Sequence, residues 1–125
     1  MIKYRDIAFV AYVVNNMARS RKFYEGVLGL KLARKFSKDF VEYDIGRGTL
    51  ALGHAPKFIK PSRNGSSAVL EVDDLDAAVE HLKKEKVKFA VGPVDNPICR
   101  MVGLRDPDGN FISLHQRKKM KSKLR

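Results

Sequence analysis

At 125 residues the chain has the size of one compact domain, long enough to bury a core without disulfide help. Its one cysteine, Cys99, excludes an internal disulfide and any four-cysteine or Cys-x-x-Cys zinc site. The formal net charge of +11 is concentrated at the end: Arg117, Lys118, Lys119, Lys121, Lys123 and Arg125 are six of the 25 basic residues, and without them 19 bases face 14 acids. Charge blocked in this way reads as a solvated tail over residues 117–125, and with neither a stacking platform nor a recognition helix no specific nucleic-acid partner is expected. No run approaches about 18 apolar residues and MIKYRDIAF lacks a signal-peptide core, so the expectation is a cytoplasmic protein with no membrane partner.

Residues 7–14, IAFVAYVV, read as a buried strand rich in β-branched side chains. Asn15 or Asn16 then caps a helix in which Ser20, Phe23, Tyr24, Val27 and Leu28 recur at three-to-four spacing, and Gly29 ends it. Three short strands follow, at about 30–36, 40–45 and 49–53, separated by the turn sequences SKD and GRG. The linker KPSRNGS, residues 60–66, is polar and rich in breakers and reads as a hinge between modules.

After the linker the order starts again. SAVLEVDD reads as a strand, Asp73 or Asp74 as a cap, and LDAAVEHLKKE as a helix with Leu75, Ala78, Val79 and Leu82 on one face; strands at 88–91, 98–104 and 110–115 follow. Adding 58 to a first-half position carries Phe9 onto Ser67, Val10 onto Ala68, Val14 onto Val72, Asn16 onto Asp74 and Tyr24 onto Leu82, a repeat of pattern more than of identity. The fold implied is α+β: two paired β-α-β-β-β modules, about 5–55 and 66–116, within a single domain over 1–116. Their strands are expected to form a curved, barrel-like mixed sheet with helices outside, since neither half has core enough alone.

Residues 9–32, FVAYVVNNMARSRKFYEGVLGLKL, resemble the opening of the vicinal oxygen chelate superfamily, which includes glyoxalase I, bleomycin-resistance proteins, fosfomycin-resistance enzymes and extradiol dioxygenases. Ser20, Phe23, Tyr24, Leu28, Gly29 and Leu30 stand at its motif positions, and DPDGN, Asp106 to Asn110, resembles its closing turn. The resemblance covers about residues 5–116. For the enzymes of the family it implies one divalent metal held by four inward side chains, His, Glu or Gln, His and Glu, one from the first and one from the last strand of each module. The corresponding positions here are Phe9, Ala51, Ser67 and Ser113. Two hydrocarbons and two neutral hydroxyls are poor ligands for zinc, iron or nickel, so the expectation is a lost metal site and no cofactor. The resemblance also implies a homodimer.

Strand alternation puts Phe9, Ala11 and Val13 on one face, Ser67, Val69 and Glu71 on one face, and Phe111, Ser113 and His115 on one face. The expected ligand pocket is Phe9, Ala11, Ala51, Ser67, Glu71, Phe111, Ser113 and His115, apolar at one end and polar at the other, which suits a small amphipathic ligand. Phe9 either stacks on a planar ligand or fills core. His115 is the one candidate catalytic residue, as a general base near neutral pH, against its plainer reading as a half-exposed strand-end histidine. A divalent metal is expected only if His54, His115 and Glu71 converge as a displaced site. His81 reads as a surface residue, and Arg100 as either an anion-binding group or an exterior one. Alternation sends only one of Glu42 and Tyr43 inward, and Asp106 and Asp108 read as turn residues rather than ligands.

Three functions remain open on these grounds. The first is a small-molecule-binding or sequestering protein of the glyoxalase and bleomycin-resistance type with the metal site lost. The second is a lyase, isomerase or dioxygenase-type enzyme using displaced ligands or His115 as base. The third is an interaction module acting through its basic tail on an acidic partner.

Overall fold

The computed structural model of the chain describes Lys3 and residues 7–57, 60–97 and 99–118. Ile98, the tail from Lys119 onward and the first residues of the expected module at 5 and 6 lie outside the described residues. The chain divides into two compact units, Met1–Ser62 and Arg63–Arg125, with the division inside the breaker-rich linker.

In the first unit β1 (Val10–Val13) leads to α1 (Met17–Arg21), which continues as a π-helical segment over Lys22–Val27, and then to β2 (Lys31–Ser37), β3 (Phe40–Asp44) and β4 (Thr49–Gly53). Asn16 is extended and its side chain accepts the Arg19 N–H at 2.9 Å, which satisfies one of the donors a helix start leaves without a partner. Gly29 takes φ of +71°, the left-handed turn that a side chain would disfavour and that frees the chain to enter β2. The second unit repeats the plan with β5 (Ala68–Glu71), α2 (Leu75–Lys84), β6 (Val91–Asp95), β7 (Cys99–Arg105) and β8 (Phe111–Arg117). Asp74 caps α2 by accepting the Ala77 N–H at 3.1 Å.

Each unit holds one four-stranded mixed sheet, ordered β1-β4-β3-β2 in the first and β5-β8-β7-β6 in the second. The pairs β1 with β4 and β5 with β8 are parallel, and the other neighbours are antiparallel. The repeat in the sequence is therefore a repeat of topology, and the fold is α+β as the pattern implies. The sheets are not closed into a barrel.

One face of each sheet is buried against its helix. Tyr12, Val41, Tyr43, Leu50 and Leu52 lie under Ser20 and Tyr24, with the Tyr24 ring 6.1 Å from Tyr12 and 6.2 Å from Tyr43. In the second unit Leu75, Val79 and Leu82 of α2 are buried with Ala68, Val102, Leu104, Ile112 and Leu114 of the sheet. Among the described residues no helix is long and apolar enough to cross a membrane.

Several boundaries differ from the sequence reading, among them the last strand, which runs on to Arg117 and takes in the first residue of the expected tail because it continues to pair with Cys99 of β7. The first strand is shorter, so Phe9 lies just ahead of β1, and Ser67 likewise precedes β5. The first helix does not stay α-helical to Gly29 but widens into a π-helical stretch. The sixth strand is at Val91–Asp95 rather than 88–91. Gly92 and Pro93 look like breakers, but β6 is the edge of its sheet, where a residue without an N–H is tolerated.

Candidate functional site

The helix-free face of the first sheet is set by its register. Ala11 lies beside Ala51, Ala51 beside Glu42 and Glu42 beside Arg34, while Val13, Gly53, Phe40 and Ser37 form the next row. Ala51 is fully buried and Ala11 is exposed. Phe9 is 42% exposed, and its ring meets Phe40 edge-on with centroids 5.8 Å apart. Tyr43 is the member of its pair that turns to the helix: its hydroxyl donates to Glu25 Oε2 at 2.8 Å, and Arg21 Nε donates to the same oxygen at 2.6 Å. The Arg21 hydrogen bond, against partial burial and with help from Tyr43, holds the Glu25 carboxyl below its ordinary value. Burial, reinforced by Glu25, pushes the Tyr43 hydroxyl up.

A cavity of about 460 Å³ on this unit is lined by charge, Arg34, Arg47, Glu42 and Asp44 among others, and takes in none of Phe9, Ala11 or Ala51. His54 is half-buried and its Nδ1 lies 2.9 Å from the Val14 carbonyl, to which it donates.

On the helix-free face of the second sheet two rows run across all four strands. One is Val69, Ser113, Gly103 and Val91; the other is Glu71, His115, Met101 and Val94. Val69 is 55% exposed on one edge strand, and Val91 at 43% and Val94 at 37% are exposed on the other. Ser113, by contrast, is buried at 1%. The Phe111 ring lies across Gly103, so close that a Cβ on Gly103 would stand 2.3 Å from its tip. The Arg105 guanidinium sits 4.9 Å from the centre of that ring and also donates to the carbonyls of Arg63 and Gly109.

At the polar end of this face His115 Nδ1 is 2.6 Å from Glu71 Oε1, and the backbone N–H of Arg117 donates to Glu71 Oε2 at 2.7 Å. A carboxylate only accepts, so Nδ1 carries the hydrogen. Partial desolvation raises the Glu71 pKa, but the Arg117 N–H and the His115 imidazole outweigh it and leave the carboxyl below its ordinary value. The parallel register of β5 and β8 places Glu71 directly beside His115. Alternation had put each on the face of its own strand; what a single sequence lacks is the pairing of those two strands.

The remaining candidates fall away from this face. Arg100 donates to Asp76 of α2 at 2.5 Å, and His81 is exposed on the same helix. Asp106 is spent on its own turn, accepting from the N–H groups of Asp108 and Asn110 at 2.9 and 2.8 Å. Ser67 is exposed ahead of β5.

At the four positions that the resemblance assigns to metal ligands, Phe9, Ala51, Ser67 and Ser113 provide no imidazole and no carboxylate, and this donor set does not fit a divalent ion. His54 belongs to the first unit and Glu71 and His115 to the second; within neither unit do three His, Cys, Asp or Glu side chains gather into a group able to hold a metal, among the described residues.

Comparison with known proteins agrees with the topology. A lactoylglutathione lyase from Neisseria meningitidis serogroup A is 32% identical over 119 residues, covering 84% of this chain and 86% of that protein. A glyoxalase/dioxygenase from Nostoc punctiforme has the same fold, with a TM-score of 0.77 at 23% identity over 92% of each chain. So does TnmS3, an antibiotic-binding protein from Streptomyces sp. CB03234, with a TM-score of 0.74 at 22% identity over 94% of this chain and all of the other. The sequence model of the Glyoxalase/Bleomycin resistance protein/Dioxygenase superfamily matches residues 6–114, and the chain belongs to that superfamily.

Proposed function

We propose that this protein binds or sequesters a small amphipathic molecule without a metal ion, as a cytoplasmic homodimer, on the helix-free faces of its sheets. The observation that carries the reading is the second sheet's open face, where exposed Val69 precedes Glu71 by two residues on β5 and Met101 and Val94 continue the row of Glu71 and His115. An apolar body and one polar group on the ligand match that division. Phe111 and Ser113 complete this face, Ser67 flanks it, and Phe9, Ala11 and Ala51 are the residues assigned on the first sheet. The donor-poor set Phe9, Ala51, Ser67 and Ser113 supports binding without a metal, and an antibiotic-binding protein of the same fold is an example of small-molecule binding on this scaffold.

Native mass spectrometry of the purified, untagged protein, with elemental analysis for zinc, nickel, iron and manganese, tests the reading. The expected result is a dimer mass, no tightly held metal and a small-molecule adduct. Metal at one per chain would overturn it. The kinship to a lactoylglutathione lyase keeps an enzyme as the second reading, and the Glu71 to His115 contact is the observation that favours it.

A further inference from the structure

We propose that His115 is a general base, held in position by Glu71, that removes a proton from a small, largely apolar acid lying on the valine-lined face of the second sheet. This deepens the binding role proposed for that face and rests on it.

The geometry has three parts. Glu71 is fixed at both oxygens, by the Arg117 N–H at one and by His115 Nδ1 at the other, so the carboxylate is not free to swing away from the ring. With Nδ1–H donating to Glu71, the lone pair of the neutral imidazole is on Nε2, the nitrogen that a general base needs. The ring is neither sealed nor loose: its side chain is 20% exposed, between Glu71 on β5 and Met101 on β7.

The surroundings define the substrate. In its row the imidazole has Glu71 of β5 on one side and Met101 of β7 and Val94 of β6 on the other, and Arg117 follows two residues on along its own strand. A molecule whose body lies on Val69 and Met101, either side of β8, would bring one acidic C–H or O–H to Nε2. In the step Nε2 takes the proton, the electron pair of the broken bond stays with the substrate, and Glu71 stabilises the imidazolium that forms. No oxidant or further reactant enters. Glu71 is a positioning residue, because it acts through the ring.

The probe is 5-nitrobenzisoxazole, a flat apolar molecule from which a base takes the ring C–H while the N–O bond breaks, giving a coloured phenolate. With the full chain the expected result is saturable turnover. In His115→Gln kcat should fall at least about 100-fold. In Glu71→Gln it should fall about tenfold, because the ring loses the carboxylate that orients it and stabilises its protonated form, with KM nearly unchanged. Nitrogen NMR of the His115 ring should report the Nδ1–H tautomer in the wild type and its loss in Glu71→Gln.

Val69→Lys tests the binding face, since a charge on its apolar part should raise KM. Saturable binding with no His115-dependent turnover overturns the base and leaves the binding face standing. No saturable binding of the probe overturns both. Unchanged kcat and tautomer in Glu71→Gln overturn the positioning role.

Discussion

Asp106 is only 4% exposed, and its carboxylate is held by the N–H groups of Asp108 and Asn110 and by the Asn110 side-chain amide at 2.9 Å. Removing it leaves buried donors without an acceptor, so Asp106→Ala should cost about 2–3 kcal/mol in urea unfolding, the usual penalty for stranded buried groups. Gly103 is constrained by shape instead: a methyl group there meets the Phe111 ring. Gly103→Ala should destabilise by about 1–3 kcal/mol, and adding Phe111→Ala should remove the clash, so the two changes should be strongly non-additive in the same assay. The turn at Asp106 was legible because Asp, Pro, Asp and Gly each have a known local preference. The Glu71 and His115 pair was not, because their 44-residue separation is closed by strand pairing and by nothing local. Phe9 shows the same limit: its parity was legible, but not that β1 begins one residue later.

The first helix is tied to its sheet by Arg21, Glu25 and Tyr43. Because the folded Glu25 pKa lies below the ordinary 4.5, its contribution to stability is fully present above about that pH and is lost as pH falls through the lowered value. Arg21→Ala removes the leading cause of the shift. The stability gap between wild type and Arg21→Ala should therefore be larger at pH 6 than at pH 3, which urea titrations at the two pH values will measure. In α2 the start is held twice, by Asp74 and by Gln116 Oε1, which accepts the Leu75 N–H at 2.7 Å. The caps and apolar stripes of both helices were readable from spacing, since they are local. The π-helical widening at Lys22–Val27 and the displacement of β6 past Gly92 and Pro93 were not, because edge position and sheet packing decided them.

At the scale of the whole chain, the α+β class and the duplicated order followed from the repeat alone, whereas the separation of the strands into two unclosed sheets depends on pairing that periodicity does not encode. Each unit has about half the chain, a size at which roughly 60% of the chain's surface is buried on folding and stability is marginal. Residues 1–62 and 63–125, made separately, should each lack a cooperative heat-absorption peak that the intact chain displays; such a peak from either piece would refute this. The duplication also has a numerical consequence. In the first sheet the row equivalent to Glu71, His115, Met101 and Val94 is Val13, Gly53, Phe40 and Ser37, with no acid and no imidazole. The scaffold was doubled and its chemistry was not, so a calorimetric titration should count one ligand for each chain rather than two.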